Sequence, residues 1–501
     1  MDIKRAKQEI KDTVEAYLLK DDFGEYKIPV IRQRPVLLMG PPGIGKTQIM
    51  EQIAKELKVG LVAYTITHHT RQSAVGLPFI KEKEYGGRPY SVTEYTMSEI
   101  IASVYEKIEQ TGIREGILFI DEINCVSETL APAMLQFLQG KTFGVHRVPD
   151  GWIIVAAGNP PEYNKSVREF DVVTLDRLKK IDVEADLSVW KEYAYRQGIH
   201  PSVISYLELR KENFYRMENT VDGKLFVTAR GWEDLSQMIW VYEELEKSVD
   251  RDVIYQYIQH RTAAKDFANY LELYYKYKTD YKVGDLLEGK WDAVTLQKIR
   301  SAPFDEHLSI ISLLNSKLGG LFRECYEQDA YVGKLYGYLP RWRDSQEALT
   351  LEDIQKTARR DLKEQKCAEL LTKEQEHTMI RVIDTLTRFT TLLKGDSTVK
   401  ESDKVREMFG EEKQELDILT DHISKELENA FLFLEAAFGE SQEMVAFVTE
   451  LNANYYGIWF VQENGCDLYY RYNKGLLFDE RREDVVRQMD EVETLLNTGI
   501  K

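Results

Sequence analysis

The stretch Gly40-Pro41-Pro42-Gly43-Ile44-Gly45-Lys46-Thr47 has the spacing GxxxxGK[ST], and each residue type in it suits the holding of phosphate. Glycines let successive backbone N–H groups curl around phosphate oxygens. Lys46 brings a point charge to the β- and γ-phosphates, and Thr47 offers its hydroxyl to a Mg²⁺ ion. A second group of chemistry-bearing residues follows the apolar run Gly116 to Ile120, which leads straight into Asp121-Glu122. An acid at such a strand tip holds Mg²⁺ through water, and the next carboxylate polarises an attacking water. Asp121 is assigned to the metal and Glu122 to the water. Asn159 ends a further apolar run, Trp152 to Ala157, where its amide would orient that water or sense the γ-phosphate. The competing reading of Asn159 is a turn residue before Pro160.

These residues need a frame. Val36 to Met39 reads as a buried strand before the loop, and Gln48 to Leu57 carries helical spacing after it. Gly60 to Ile66 reads as another strand, and the more polar Lys180 to Val183 as an edge strand. Short buried strands alternating with helices predict an α/β unit with a parallel five-stranded sheet, whose ligands sit beyond the strands' carboxyl ends. Two insertions interrupt the alternation. Leu77 to Thr96 turns at Gly86-Gly87 and is predicted to be a β-hairpin, and GKTFGVHRVPDGW before Trp152 has the same turn chemistry. An ordinary surface loop is the alternative for each. Ile3 to Leu19 reads as an isolated leading helix.

From Leu187 the pattern becomes helical: Ser188 to Gln197, Pro201 to Lys211, Ala229 to Glu246, one long segment from Val253 to Tyr281, and Ser301 to Leu318. The aromatics of ANYLELYYKYKTDY read as interhelix packing. Several amphipathic helices follow Pro340, among them RREDVVRQMDEVETLL, with a charged linker around Gly395 to Glu411. The predicted domains are 1–185, α/β with a leading helix and two hairpins; 186–330, an all-helical lid; and 331–501, a helical extension.

Composition narrows the partners. A net charge of −18 over 501 residues argues against a protein that wraps nucleic acid, because neutralising phosphates needs a basic surface. Cys125, Cys325, Cys367 and Cys466 lie far apart without metal-ligand spacing and read as reduced thiols. No apolar stretch approaches the roughly 18 residues of a membrane span, so a cytoplasmic protein is expected. His68, His69 and His146 lack ligand spacing and read as turn or packing residues. The polar end of the second strand, near Thr67 and His68, is a candidate restraint on Glu122.

Taken together, GPPGIGKT, LFIDE, the AAGNP around Asn159, Leu175-Asp176-Arg177-Leu178 and Thr228-Ala229-Arg230-Gly231-Trp232 resemble the AAA+ ATPases, and within them the MoxR group. The likeness covers about Val30 to Arg300, and the two hairpins fit that clade. It implies a P-loop NTPase core that binds ATP and Mg²⁺, with Asn159 as sensor 1, Arg177 as an arginine finger reaching a neighbouring subunit, and Arg230 as sensor 2 at the start of a lid helix. Arg168 is the second-ranked finger. Surface or helix-end ion pairing is the competing reading of Arg177 and Arg230. The resemblance further implies a ring, a hexamer in such relatives, that remodels or activates a protein partner, for which it suggests a von Willebrand factor A domain protein. The rival readings are a non-hydrolysing nucleotide switch or scaffold and a nucleic-acid-associated NTPase similar to the McrB branch.

Overall fold

The three inner strands of the central sheet bury both of their faces, which is why those runs read as continuously apolar. The computed structural model describes residues 1–68, 74, 76–163, 167, 170–220, 223–343, 350–394 and 401–474. Strands β1 (Val36–Met39), β2 (Gly60–Thr65), β5 (Gly116–Asp121), β8 (Trp152–Gly158) and β9 (Lys179–Asp182) pair in the order β2-β5-β8-β1-β9, all neighbours parallel. The five-stranded sheet and the edge position of the polar strand are as expected from sequence.

Alternate residues feed two cores. On one face Leu37, Leu118, Ile120 and Ile154 pack with Ile100 and Val104 of helix Glu99–Thr111 and with Met134 and Phe137 of helix Ala131–Gly140. On the other, Val36, Leu38, Ile117 and Val155 meet Ile49 and Ile53 of helix Lys46–Leu57. Each such side chain contributes about 1.5–3 kcal/mol by leaving water.

The leading helix, Ile3–Leu18, is not isolated. Asp2 caps it by accepting from the Arg5 amide at 2.7 Å, and Ala6, Ile10 and Val14 are buried in the second core. Lys7 and Lys11 both reach Glu56, at 2.6 and 2.9 Å.

Both predicted hairpins form. β3 (Pro78–Tyr85) and β4 (Arg88–Tyr95) pair antiparallel across Gly86-Gly87, and the two-residue strands β6 (Thr142–Phe143) and β7 (His146–Arg147) make the second. His146 contacts the Tyr95 carbonyl at 3.1 Å through Nε2, a packing role that links the hairpins. The side chain of His68 and the whole of His69 lie outside the described residues.

The chain divides into two units. One contains Met1–Val189, Thr228–Arg230 and Lys356–His377; the other contains Trp190–Val227, Gly231–Gln355 and Thr378–Lys501. The second is built on the 40-residue helix Phe304–Arg343, whose Leu314, Leu318 and Phe322 pack with Leu427, Phe431, Phe447 and Phe460. Three expectations are corrected there. The region is largely but not wholly helical, since Arg216–Thr220 and Gly223–Val227 pair antiparallel. The segment predicted as one helix from Val253 is two, Arg251–Tyr257 and Arg261–Tyr281. They break where His260 caps the second by accepting from the Ala263 amide. The charged stretch predicted as linker to Glu411 is helical from Glu401, because Val405, Met408 and Glu412 give helix Glu401–Phe438 an inward stripe. RREDVVRQMDEVETLL lies outside the described residues.

Candidate active site

The loop Gly40–Thr47 leaves the carboxyl end of β1 and opens a helix at Lys46. Gly43 and Gly45 sit at φ 76° and 89°, where a side chain is disfavoured, and Gly45 is the N-cap of that helix. A Cβ at Gly40 would stand 2.9 Å from the Val183 carbonyl. The loop therefore lies pressed against the strand ends. Pro41, Pro42 and Ile44 complete it, and Ile44 packs against the second core.

Lys46 is only 8% exposed. Its ammonium donates three hydrogen bonds of 2.8 Å, to the Gly40 and Pro41 carbonyls and to Oδ1 of Asn159. Burial pushes its pKa down to about 8, opposed by the carboxylate of Asp121, reinforced by the guanidinium of Arg230 and opposed again by Glu122. At neutral pH the buried amine thus still carries its proton.

Thr47 donates from Oγ1 to Oδ2 of Asp121 at 3.0 Å, and Oδ1 of Asp121 accepts from the Glu122 amide at 2.9 Å. A hydroxyl and a carboxylate at that separation, on a half-buried strand tip, suit a hard cation that keeps most of its waters. Thr47 and Asp121 are the residues that would hold Mg²⁺. Glu122 follows in the left-handed region at φ 57°, a conformation uncommon for a non-glycine residue, which turns the chain sharply out of β5.

Sequence reasoning missed Asn124. It is 2% exposed; its Nδ2 donates to the Asn159 carbonyl at 2.8 Å and its Oδ1 accepts from the Asn159 amide at 3.2 Å. A Cβ on Gly158 would come within 2.6 Å of that Oδ1, so the glycine before Asn159 makes room for the clamp. The signal was legible only as an amide two residues beyond Glu122 in IDEIN.

Arg230 comes to the loop: its own Cβ is 3.4 Å from where a Cβ on Gly43 would stand, and its charge acts on Lys46. Arg177 is exposed, follows the short helix Val172–Leu175, and donates to Gln139 of helix Ala131–Gly140; it is not among the charges that act on Lys46. Arg168 lies outside the described residues. Asp121, Glu122, Asn159, Lys46 and Thr47 are thus brought together across the ends of β1, β5 and β8, with Arg230 adjacent and Arg177 apart. Thr65, ending β2, is in register with Asp121.

Residues 36–175 match the family model described as "ATPase family associated with various cellular activities (AAA)". No curated protein matches the chain. Among solved structures, a candidate ATPase from Cytophaga hutchinsonii ATCC 33406 is similar at 17% identity over 36% of this chain and 51% of that one, with a TM-score of 0.21. The match spans about half of that protein's length, and a likeness at that score carries no argument. Strand order, loop geometry and the matched segment agree on one assignment: residues 36–175 are an AAA ATPase domain.

Proposed function

We propose that the chain is a Mg²⁺-dependent ATPase of MoxR-like type that works in a ring, a hexamer, and spends hydrolysis on remodelling or activating a protein partner. The observation that carries the reading is the meeting of Lys46, Thr47, Asp121 and Asn159 at three adjacent strand ends, within 3.0 Å links of one another. Lys46 would meet phosphate with a desolvated charge, which strengthens its attraction. The loop amides position the nucleotide. Bound Mg²⁺ would supply charge neutralisation at the phosphates. Glu122, directly after Asp121, takes the proton of the attacking water, and Asn159 orients that water. Arg177, exposed and held by Gln139, is available to a neighbouring copy. The hairpin β3–β4 supports a protein partner, since Ile80, Tyr85 and Tyr90 stand 77%, 56% and 50% exposed on it. A von Willebrand factor A domain is the partner the resemblance suggests.

The reading is tested by turnover and nucleotide binding together. Glu122→Gln is expected to keep nucleotide and lose about 10²- to 10⁴-fold in turnover. Lys46→Ala is expected to lose binding. Turnover per subunit should rise with protein concentration, and Arg177→Ala should lower it about 10³- to 10⁵-fold. Turnover that survives in both Glu122→Gln and Lys46→Ala would sink the proposal; binding and assembly without hydrolysis would establish the scaffold instead.

A further inference from the structure

The helical unit contains a cavity of about 490 Å³, within the range of about 300–1,000 Å³ typical of small-molecule sites. It opens between the start of helix Pro201–Leu209, Trp240 of helix Ala229–Glu244, the end of helix Arg261–Tyr281, the short helix Val283–Leu287 and the middle of helix Phe304–Arg343. One wall is aromatic and fixed. Trp240 donates from Nε1 to the Gly198 carbonyl at 2.9 Å and lies edge-on to His200 with centroids 4.5 Å apart, yet stays 39% exposed. Buried Tyr274 stands beyond His200. His200 is buried, which lowers its pKa, so it adds no charge to this wall at neutral pH.

The lining also carries cationic groups. Lys278, Lys282 and Lys317 all line the cavity, against one lining carboxylate, Asp285. Lys278 is 3.3 Å from Glu243. Lys282 and Lys317 make no salt bridge among the described residues, although the charge of Lys317 acts on nearby Glu288. Lys282 sits at φ 40°, ψ 60°, the left-handed region that a non-glycine residue rarely adopts, at the joint between two helices. The ammonium of Lys317 lies 2.7 Å from where a Cβ on Gly284 would stand, so it rests against the backbone of the short helix. In a chain of net charge −18, three lysines against one carboxylate make the lining of this open hollow locally basic.

We propose that this cavity binds a phosphorylated small molecule with a planar body. Lysine ammonium groups are point charges that suit phosphate oxygens, and the face of Trp240 suits a planar ring. The site is separate from the phosphate loop and does not rest on the ATPase reading.

The test uses the full chain carrying Lys46→Ala, without Mg²⁺, titrated calorimetrically with pyrophosphate and with ADP. Saturable binding of ADP is expected, weakened about tenfold or more when Lys282→Gln and Lys317→Gln are added, because each charged hydrogen bond is worth about that much. The unliganded melting temperature should not move, since both lysines lie on the surface. ADP binding tighter than pyrophosphate supports the planar body; equal affinity overturns that part of the assignment. Binding of neither probe, or binding indifferent to the two lysines, overturns the site.

Discussion

Asn124 shows what one amide can do when both of its polar atoms are committed. Its two hydrogen bonds hold the backbone of Asn159 on either side of the residue whose own side chain receives the Lys46 ammonium. Removing the clamp leaves a buried amide and carbonyl unsatisfied, at a cost of about 1–3 kcal/mol. Asn124→Ala is therefore expected to lower turnover about tenfold or more while nucleotide affinity, carried by the loop itself, changes little. A parallel loss of affinity would show that Asn124 only supports the fold. Lys46, Thr47, Asp121 and Glu122 were legible because their spacing is local and their chemistry restrictive. Asn124 was not, because its partner is 35 residues away and an asparagine after an acidic pair reads as a turn.

Among elements, the sheet was legible wherever a strand is buried on both faces, and hairpin β3–β4 because Gly86-Gly87 marks its turn. The hairpin Arg216–Thr220/Gly223–Val227 was missed since RMENT alternates weakly and carries little apolar burial. The helix break at His260 was missed because no proline or glycine announces it. Close packing adds a constraint that no pattern shows: the indole of Trp152 lies over Gly60 and Gly116, where a Cβ on Gly116 would come within 2.7 Å of the ring and of the Gly60 carbonyl. Gly116→Ala forces β2, β5 and β8 apart. It is expected to destabilise the nucleotide unit by about 1–3 kcal/mol, read as a lower melting temperature.

At the scale of the whole molecule, the region after Pro340 read as amphipathic helices without a recognisable family pattern, and its long-range role was not legible. Lys356–His377 belongs to the same unit as the phosphate loop. Its Glu369 pairs with Lys107 at 2.8 Å, and Leu371 helps line a cavity of about 570 Å³ with Leu61 and Ala63 of edge strand β2. Lys107→Glu sets like charges against each other at a pair whose lysine is largely covered and whose glutamate is exposed. Amide exchange over 356–377 should speed up about fivefold, the equivalent of ~1 kcal/mol, with the sheet unaffected. No helix of the described residues is long and apolar enough to cross a membrane.

That returning segment also sets an order of events during synthesis. The strands of the nucleotide unit have all been made by Asp182, but its last piece emerges only with Lys356–His377. At about 5–20 residues per second the gap is roughly 10–40 s. Throughout it the side of edge strand β2 that carries Leu61 and Ala63 lacks the neighbours that Lys366, Glu369 and Leu371 provide in the folded unit, so it is more open on the nascent chain than in the finished protein.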